Sequence, residues 1–338
     1  MSPSPSDHET SPTPEQNAPT DRRVYQDIFE MLPSVENPTP LVRINQLNSS
    51  QAFTLYAKLE WMNPFGSVKD RAAAQMIKAL EANHELSATR GIVEPTSGNT
   101  GLSLAALASV KGYPMRAVLP NKVPLTKKLL LRLAGADLQV INDELCPAPG
   151  LGDGSINMAK TYAKAQSARY VMPNQYENQH NVEAHIETTG PEIWNQTSGQ
   201  VTHVFVSLGT CGTVTGLAKF LKSQNPDVRV IAVQPSEGHD VPGLRNISQL
   251  EVSKLYDADL IDELLEIDFR LAYQNSMDLF RKEGLRAGPS SGLIFEGARQ
   301  AMESGAEGVG VMIFCDDIFK YTDSYARHFP ELLEGTEP

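Results

Sequence analysis

The chain is expected to fold as an α/β protein built on open parallel sheets, and three observations carry that expectation. From Leu55 onward, short β-branched or aliphatic runs alternate with longer amphipathic segments, the pattern of parallel strands joined by helical crossovers. At 338 residues, the chain has the length of about two domains, or of one large α/β unit with a lobe. Self-similarity at roughly 20–50 residues is lacking, which excludes solenoids and propellers.

In chain order the strands are expected at 55–59, 91–94, 115–119, 138–141, 170–172, 201–207, 228–234 and 309–315, each a short apolar run. Helices are expected between them at 69–82, 100–111, 126–133, 155–165, 182–195, 213–222, 269–283 and 291–303. The loop 143–154, with Pro147, Pro149 and three glycines, is the strongest internal breaker, and 235–250 is a second irregular stretch. Residues 1–22, rich in Pro, Ser, Thr and Glu, bury too little surface to offset chain entropy and are expected to form a disordered tail.

With 41 acidic against 29 basic residues, the net charge of -12 repels phosphate backbones and anionic lipids. Nucleic acid and membrane surfaces are thus not expected as partners, and an anionic small molecule needs a local cationic pocket. The three cysteines, Cys146, Cys211 and Cys315, do not form a disulfide framework and fit a reducing cytoplasm. The amino terminus lacks the charged and apolar regions of a signal peptide, and no run approaches the ~18 apolar residues of a membrane span.

Four turns fall where a strand is expected to meet a helix, the edge of an α/β sheet at which ligands bind. In Asn63-Pro-Phe-Gly-Ser-Val-Lys-Asp-Arg71, Lys69 opens a helix. A helix amino terminus favours the uncharged, nucleophilic form of an amine, which suits Schiff-base chemistry; a surface lysine beside Asp70 and Arg71 is the alternative. In Pro95-Thr-Ser-Gly-Asn-Thr-Gly101, the N–H groups with Thr96, Ser97 and Thr100 make a nest for a carboxylate or phosphate, or an ordinary capped helix start. Gly209-Thr-Cys-Gly-Thr213 lets backbone amides approach a phosphate closely. Its glycine spacing fits neither a Walker loop nor a dinucleotide fingerprint, so a phosphate outside a nucleotide is the better match.

The fourth turn, Gly288-Pro-Ser-Ser-Gly292, has the form of a serine-hydrolase elbow, and Asp316, Asp317 and His328 follow in triad order. Little chain remains, however, for the strands that would carry the acid and the histidine. His180 and His185 lack the spacing that shares a helix face, so no metal site is expected. Trp61, Met62 and Phe65 read as core or cleft wall, and the Lys127–Lys128 pair as a solvated helix face.

Together and in this order, the four turns resemble the cysteine synthase family of pyridoxal 5′-phosphate enzymes of fold type II, which also holds cystathionine β-synthase. The resemblance runs from about Asn37-Pro-Thr-Pro-Leu-Val42 to Lys320. It is supported by Lys58-Leu-Glu-Trp-Met-Asn63, Gln175-Tyr-Glu-Asn178 and Thr188-Thr-Gly-Pro-Glu-Ile-Trp194. It implies two open parallel-sheet α/β lobes with the cofactor in the cleft between them. The amino-terminal lobe would span 63–178, and the carboxyl-terminal lobe 23–62 plus 179–330, with a tail at 331–338.

The resemblance also implies residue roles. Lys69 would bind the cofactor as a Schiff base and later transfer protons. Asn99 would contact the cofactor's phenolic oxygen, Gly209, Thr210, Cys211, Gly212 and Thr213 its phosphate, and Ser290 its pyridine nitrogen. Thr96, Ser97, Gly98 and Thr100, with Gln175, would hold the substrate carboxylate. A neutral hydroxyl at the pyridine leaves a weaker electron sink than an aspartate does, which favours β-elimination and replacement over transamination.

The implied reaction replaces the β-substituent of an activated L-serine, O-acetylserine or O-phosphoserine, by a sulfur nucleophile to give L-cysteine or an S-substituted cysteine. The stretch 234–246 is similar to B-type and phosphoserine-dependent members. There Arg245 would hold a leaving phosphate, the alternative being a surface pairing with Glu237 or Asp240. A homodimer is implied, with an acyltransferase or sulfur-carrier protein as a further partner. The chain departs from the family where it reads Val123-Pro-Leu-Thr-Lys-Lys128, at Cys211 in the phosphate loop, at Pro289, and in the proline-rich loop 143–154. An amine nucleophile, a non-catalytic amino-acid sensor or docking homologue, and the serine hydrolase are the alternative functions.

Overall fold

The structure, a computed structural model, describes residues 24–142 and 154–335. The expected tail 1–22 and all of loop 143–154 except Gly154 lie outside the described residues.

The chain forms two sheets. The six-stranded sheet uses β1 (Leu41–Arg43), β2 (Phe53–Leu59), β7 (His203–Ser207), β8 (Arg229–Pro235), β9 (Glu263–Ile267) and β10 (Gly308–Phe314) in the order β1-β2-β10-β7-β8-β9. Only the β1–β2 pair is antiparallel. The four-stranded sheet runs β5-β4-β3-β6, from β3 (Gly91–Pro95), β4 (Met115–Pro120), β5 (Asp137–Ile141) and β6 (Tyr170–Val171), all parallel. Parallel strands need covered faces. Apolar clusters accordingly fill both sides: Phe53, Leu55, Phe205 and Phe314 lie in one cluster of the larger sheet and Val204, Val206, Leu217 and Val230 in the other. Ile92, Leu104 and Leu119 pack in one cluster of the smaller sheet, and Val93, Val118 and Tyr170 in another.

The crossovers are carried by α1 (Lys69–Ala82), α2 (Asn99–Val110), α3 (Leu125–Leu133), α4 (Gly154–Ala165), α5 (His180–Ala184), α6 (Gly190–Gln196), α7 (Gly212–Gln224), α8 (Phe269–Glu283) and α9 (Pro289–Glu303), and α10 (Thr322–His328) follows the last strand. The expected strands and helices form, with ends shifted by a few residues. The helix expected over 182–195 is interrupted by a π turn at His185–Thr189 between α5 and α6. Such a turn changes which side chains share a face and is common at functional sites.

Two strands escape the sequence reading. β1 has only three residues, and β9 reads Glu-Leu-Leu-Glu-Ile, with one β-branched residue. β9 is a strand because its backbone completes the edge of β8, Ala232 facing Leu264 and Gln234 facing Glu266. Local propensity is overridden by that pairing.

Candidate active site

The four turns converge. Helices α1, α2, α7 and α9 all begin at one cleft of about 200 Å³, and every site residue expected from the sequence lines it except Gly212. Val68 N–H donates to Cys315 O, Gly288 N–H donates to Asp316 O, and Ser67 and Ala287 bridge to Asp316 and Asp317. The exit of β10 thus ties the Lys69 turn and the Ser290 turn together.

The phosphate-type cradle follows β7. Cys211 caps α7 with φ +67° and no side-chain cap, so the first N–H groups of the helix are left to a ligand. A Cβ on Gly212 would lie 2.2 Å from Asn181 Oδ1, so only glycine permits this close approach. Asn181 Nδ2 donates to Thr210 Oγ1 at 3.0 Å, and His185 Nε2 lies 3.1 Å from Thr213 Oγ1. Burial pushes the His185 pKa down to about 3, so a neutral imidazole holds Thr213. His185 read as an ordinary histidine in the sequence; its position behind the cradle comes from the close approach of the end of α5 to α7, where a Cβ on Gly216 would lie 2.7 Å from His185 Cβ.

The second nest follows β3. Thr96 Oγ1 accepts from Gly101 N–H at 2.8 Å, and Thr100 Oγ1 donates to Gln175 Oε1 at 2.6 Å. Gln175 is placed by Glu94, whose carboxyl oxygens accept the N–H groups of Asn174 and Gln175 at 2.9 and 3.0 Å. Burial raises the Glu94 pKa to about 7.

Lys69 and Ser290 both face the cleft, and neither side chain has a hydrogen-bond or ion-pair partner among the described residues. Among the described residues the lining carries Lys69, Lys127, Arg245 and Lys320 against the single carboxyl of Asp316. This is the local cationic pocket that an anionic ligand needs inside an envelope of charge -12.

Arg245 lines the cleft wall, its Nη2 3.3 Å from Tyr176 Oη and its guanidinium 5.2 Å from that ring's centroid. Asp240 is engaged by Arg327 and His328 instead.

The expectation for the lysine pair is corrected. Lys128 donates to Asn121 O, but Lys127 lines the cleft with its ammonium 5.1 Å from the centroid of Tyr321, and burial lowers its pKa. The reason is that α3 leans across to the segment after β10, where Thr126 Oγ1 donates to Asp323. Met62 is likewise exposed rather than packed, whereas Trp61 is buried and stacks on Phe314.

The hydrolase triad does not assemble. His328 pairs with Asp240 and packs against Tyr273, while Asp316 accepts from Asn99 and Tyr321.

A profile of the family described as pyridoxal-phosphate dependent enzyme matches residues 32–316. The chain belongs to that family. It is 36% identical over 278 residues to cysteine synthase B of Escherichia coli strain K12, covering 82% of this chain and 89% of the relative. It is 32% identical over 305 residues to a cysteine synthase of Aquifex aeolicus strain VF5, covering 88% and 92%. Among solved structures, cysteine synthase of Entamoeba histolytica superposes with a TM-score of 0.81 at 26% identity, covering 96% of this chain and 94% of that one. O-ureido-L-serine synthase superposes with a TM-score of 0.80 at 30% identity, covering 93% and 96%.

Family membership makes this a pyridoxal-phosphate enzyme, and the residues fit the cofactor. A lysine amine and a serine hydroxyl without partners among the described residues, and an uncapped helix terminus beside Gly212, offer an aldehyde, a ring nitrogen and a phosphate their complements. Among the described residues no helix is long and apolar enough to cross a membrane.

Proposed function

We propose that the protein replaces the β-substituent of an activated L-serine, O-acetylserine or O-phosphoserine, by a sulfur nucleophile to give L-cysteine or an S-substituted cysteine. The observation that carries this reading is that Lys69, Asn99 and the neutral hydroxyl of Ser290 line one cleft, between two anion nests. The cofactor supplies the electron sink that makes the substrate's α-proton removable.

The chain's own residues do the rest. Lys69 Nζ binds the cofactor, then takes and returns the α-proton. Gly209, Thr210, Cys211, Gly212 and Thr213 hold the phosphate, Ser290 the ring nitrogen and Asn99 the ring oxygen. Thr96, Ser97, Gly98, Thr100 and Gln175 hold the substrate carboxylate, and Arg245 stabilises an anionic leaving group. The cationic lining favours an anionic sulfur nucleophile over a protonated amine. On this reading the lobes are 63–178 and 23–62 plus 179–330, and the enzyme is a homodimer in a reducing cytoplasm. Burial raises the thiols of Cys211 to about 12 and Cys315 to about 11, which keeps both protonated and inert there. An acyltransferase or sulfur-carrier protein would dock at the cleft mouth.

The test mixes purified protein with O-acetylserine, O-phosphoserine and serine in turn, follows the cofactor spectrum, and then adds sulfide. A spectral change with at least one ester, reversed by sulfide with release of cysteine, is expected. Borohydride reduction followed by mass spectrometry should place the pyridoxyl group on Lys69. Spectral silence with both esters, or modification of another lysine, overturns the reading.

A further inference from the structure

Asn99 is gripped from two sides by residues more than two hundred positions away. Its Oδ1 accepts from Lys320 Nζ at 3.0 Å, and its Nδ2 donates to Asp316 Oδ2 at 2.6 Å. Lys320 Nζ also donates to Gly66 O at 2.7 Å and Phe65 O at 3.3 Å, on the turn that leads to Lys69. Asp316 Oδ2 accepts a second bond from the hydroxyl of Tyr321.

A carboxamide has one accepting and one donating end, and the two are nearly isosteric. Reversing Asn99 would put its Nδ2 against the Lys320 ammonium, donor to donor, and its Oδ1 against Asp316 Oδ2, acceptor to acceptor. Oδ2 also accepts from Tyr321, so in this arrangement it faces Asn99 as an acceptor. The amide orientation is therefore specified twice. Nδ2 has two hydrogens, and Asp316 uses one.

We infer that Lys320 and Asp316 are positioning residues that hold Asn99 as an obligate donor, so that its second Nδ2 hydrogen is presented to the cofactor's ring oxygen. The inference rests on the cofactor placement proposed above. In the absence of the clamp the amide can turn and offer a lone pair where the ring oxygen needs a proton donor. The ring oxygen then loses its anionic character and the cofactor is held less well.

The test reads the cofactor rather than turnover. Holoenzyme is prepared for wild type, Asn99→Ala, Lys320→Met, Lys320→Arg, Asp316→Ala and the Asn99→Ala/Lys320→Met double variant. The ratio of the two visible cofactor bands at fixed pH and the dissociation constant of pyridoxal phosphate are measured for each. Asn99→Ala is expected to weaken cofactor binding roughly tenfold, the effect of one lost hydrogen bond of about 1.4 kcal/mol, and to deplete the long-wavelength band.

Lys320→Met and Asp316→Ala should move the band ratio the same way, Lys320→Arg should restore it, and the double variant should match Asn99→Ala alone. Asp316→Ala leaves the Lys320 bonds to Phe65 and Gly66, and the backbone bridge between residue 316 and Ser67, in place, so its effect does not come from loosening the Lys69 turn. The inference fails if Asn99→Ala shifts the bands while Lys320→Met and Asp316→Ala do not, or if the double variant shows the sum of the two single effects. Those results leave the cofactor site standing. Unaltered bands in Asn99→Ala would remove the proposed role of Asn99 and the inference together.

Discussion

Arg71 Nη2 donates to Glu192 Oε2 at 2.9 Å across 121 positions of sequence, and both side chains are fully withdrawn from solvent. The same Oε2 accepts from Lys58 Nζ at 2.6 Å, and Arg71 Nε donates to Glu60 Oε2 at 2.7 Å. Two cations and two carboxylates thus balance in the interior. Burial alone would raise the Glu60 carboxyl, but Arg71, Lys58 and the Thr39 hydroxyl together outweigh it and hold the pKa at about 2. The cluster fastens α1, two residues beyond Lys69, to the end of β2 and to α6.

Removing one charge from that cluster leaves the others uncompensated. Glu192→Gln is near in shape but leaves Lys58 and Arg71 facing Glu60 alone, so a loss of about 3–5 kcal/mol is expected. Urea unfolding would show it as a lowered midpoint at unchanged slope. A loss below about 1 kcal/mol would mean that water reaches the cluster.

The leaving group is read through Arg245. Arg245→Ala should slow the first half-reaction of O-phosphoserine roughly ten- to hundredfold in kcat/KM, from one charged contact worth about 1.5–3 kcal/mol, and that of O-acetylserine far less. Stopped-flow spectra with both esters measure it. Equal slowing would make Arg245 a gating residue, and no reaction of wild type with O-phosphoserine would favour the acetyl ester.

Glu94 sets a pH dependence of stability. Its pKa rises from 4.5 in the unfolded chain to about 7 in the fold, so the native state binds the extra proton. The associated stability is complete below 4.5 and is lost as pH rises through about 7. Asp70, raised by burial from 3.8 to about 6, has the same sign. Glu94→Gln should remove on the order of 2–4 kcal/mol from the difference between unfolding free energies at about pH 5 and about pH 8. A pH profile identical to wild type would show that the two backbone N–H donors keep the carboxylate ionised.

The turn at Ser290 separates chemistry from packing. A Cβ on Gly292 would lie 1.9 Å from Ala272 O and 2.6 Å from Ser276 N, where α9 crosses α8. Gly292→Ala should therefore destabilise by about 1–3 kcal/mol or more. Ser290→Ala should keep stability within about 0.5 kcal/mol and retain the cofactor while slowing elimination. Ser290→Asp should turn the chemistry towards transamination. Thermal unfolding and cofactor spectra of the three variants test this. Loss of esterase activity in Ser290→Ala with unaltered cofactor chemistry would revive the hydrolase reading.

The sequence by itself determined the alternation of strands and helices and the four ligand turns. Each turn is a local signal, because small or hydroxyl side chains between an apolar run and an amphipathic one leave backbone N–H groups at a helix start. Lys69, the segment 96–100, the segment 209–213 and Ser290 were legible for that reason, and their order carried the family resemblance. Tertiary structure alone decided what stands behind them. β9 is a strand only because β8 offers it an edge, Lys127 enters the cleft only because α3 leans towards Tyr321, and His185 reaches Thr213 only because the end of α5 packs against α7. Asp316 and Lys320 meet Asn99 across more than two hundred residues. Such contacts depend on the relative placement of whole elements, and propensity, period and spacing extend over only one element at a time.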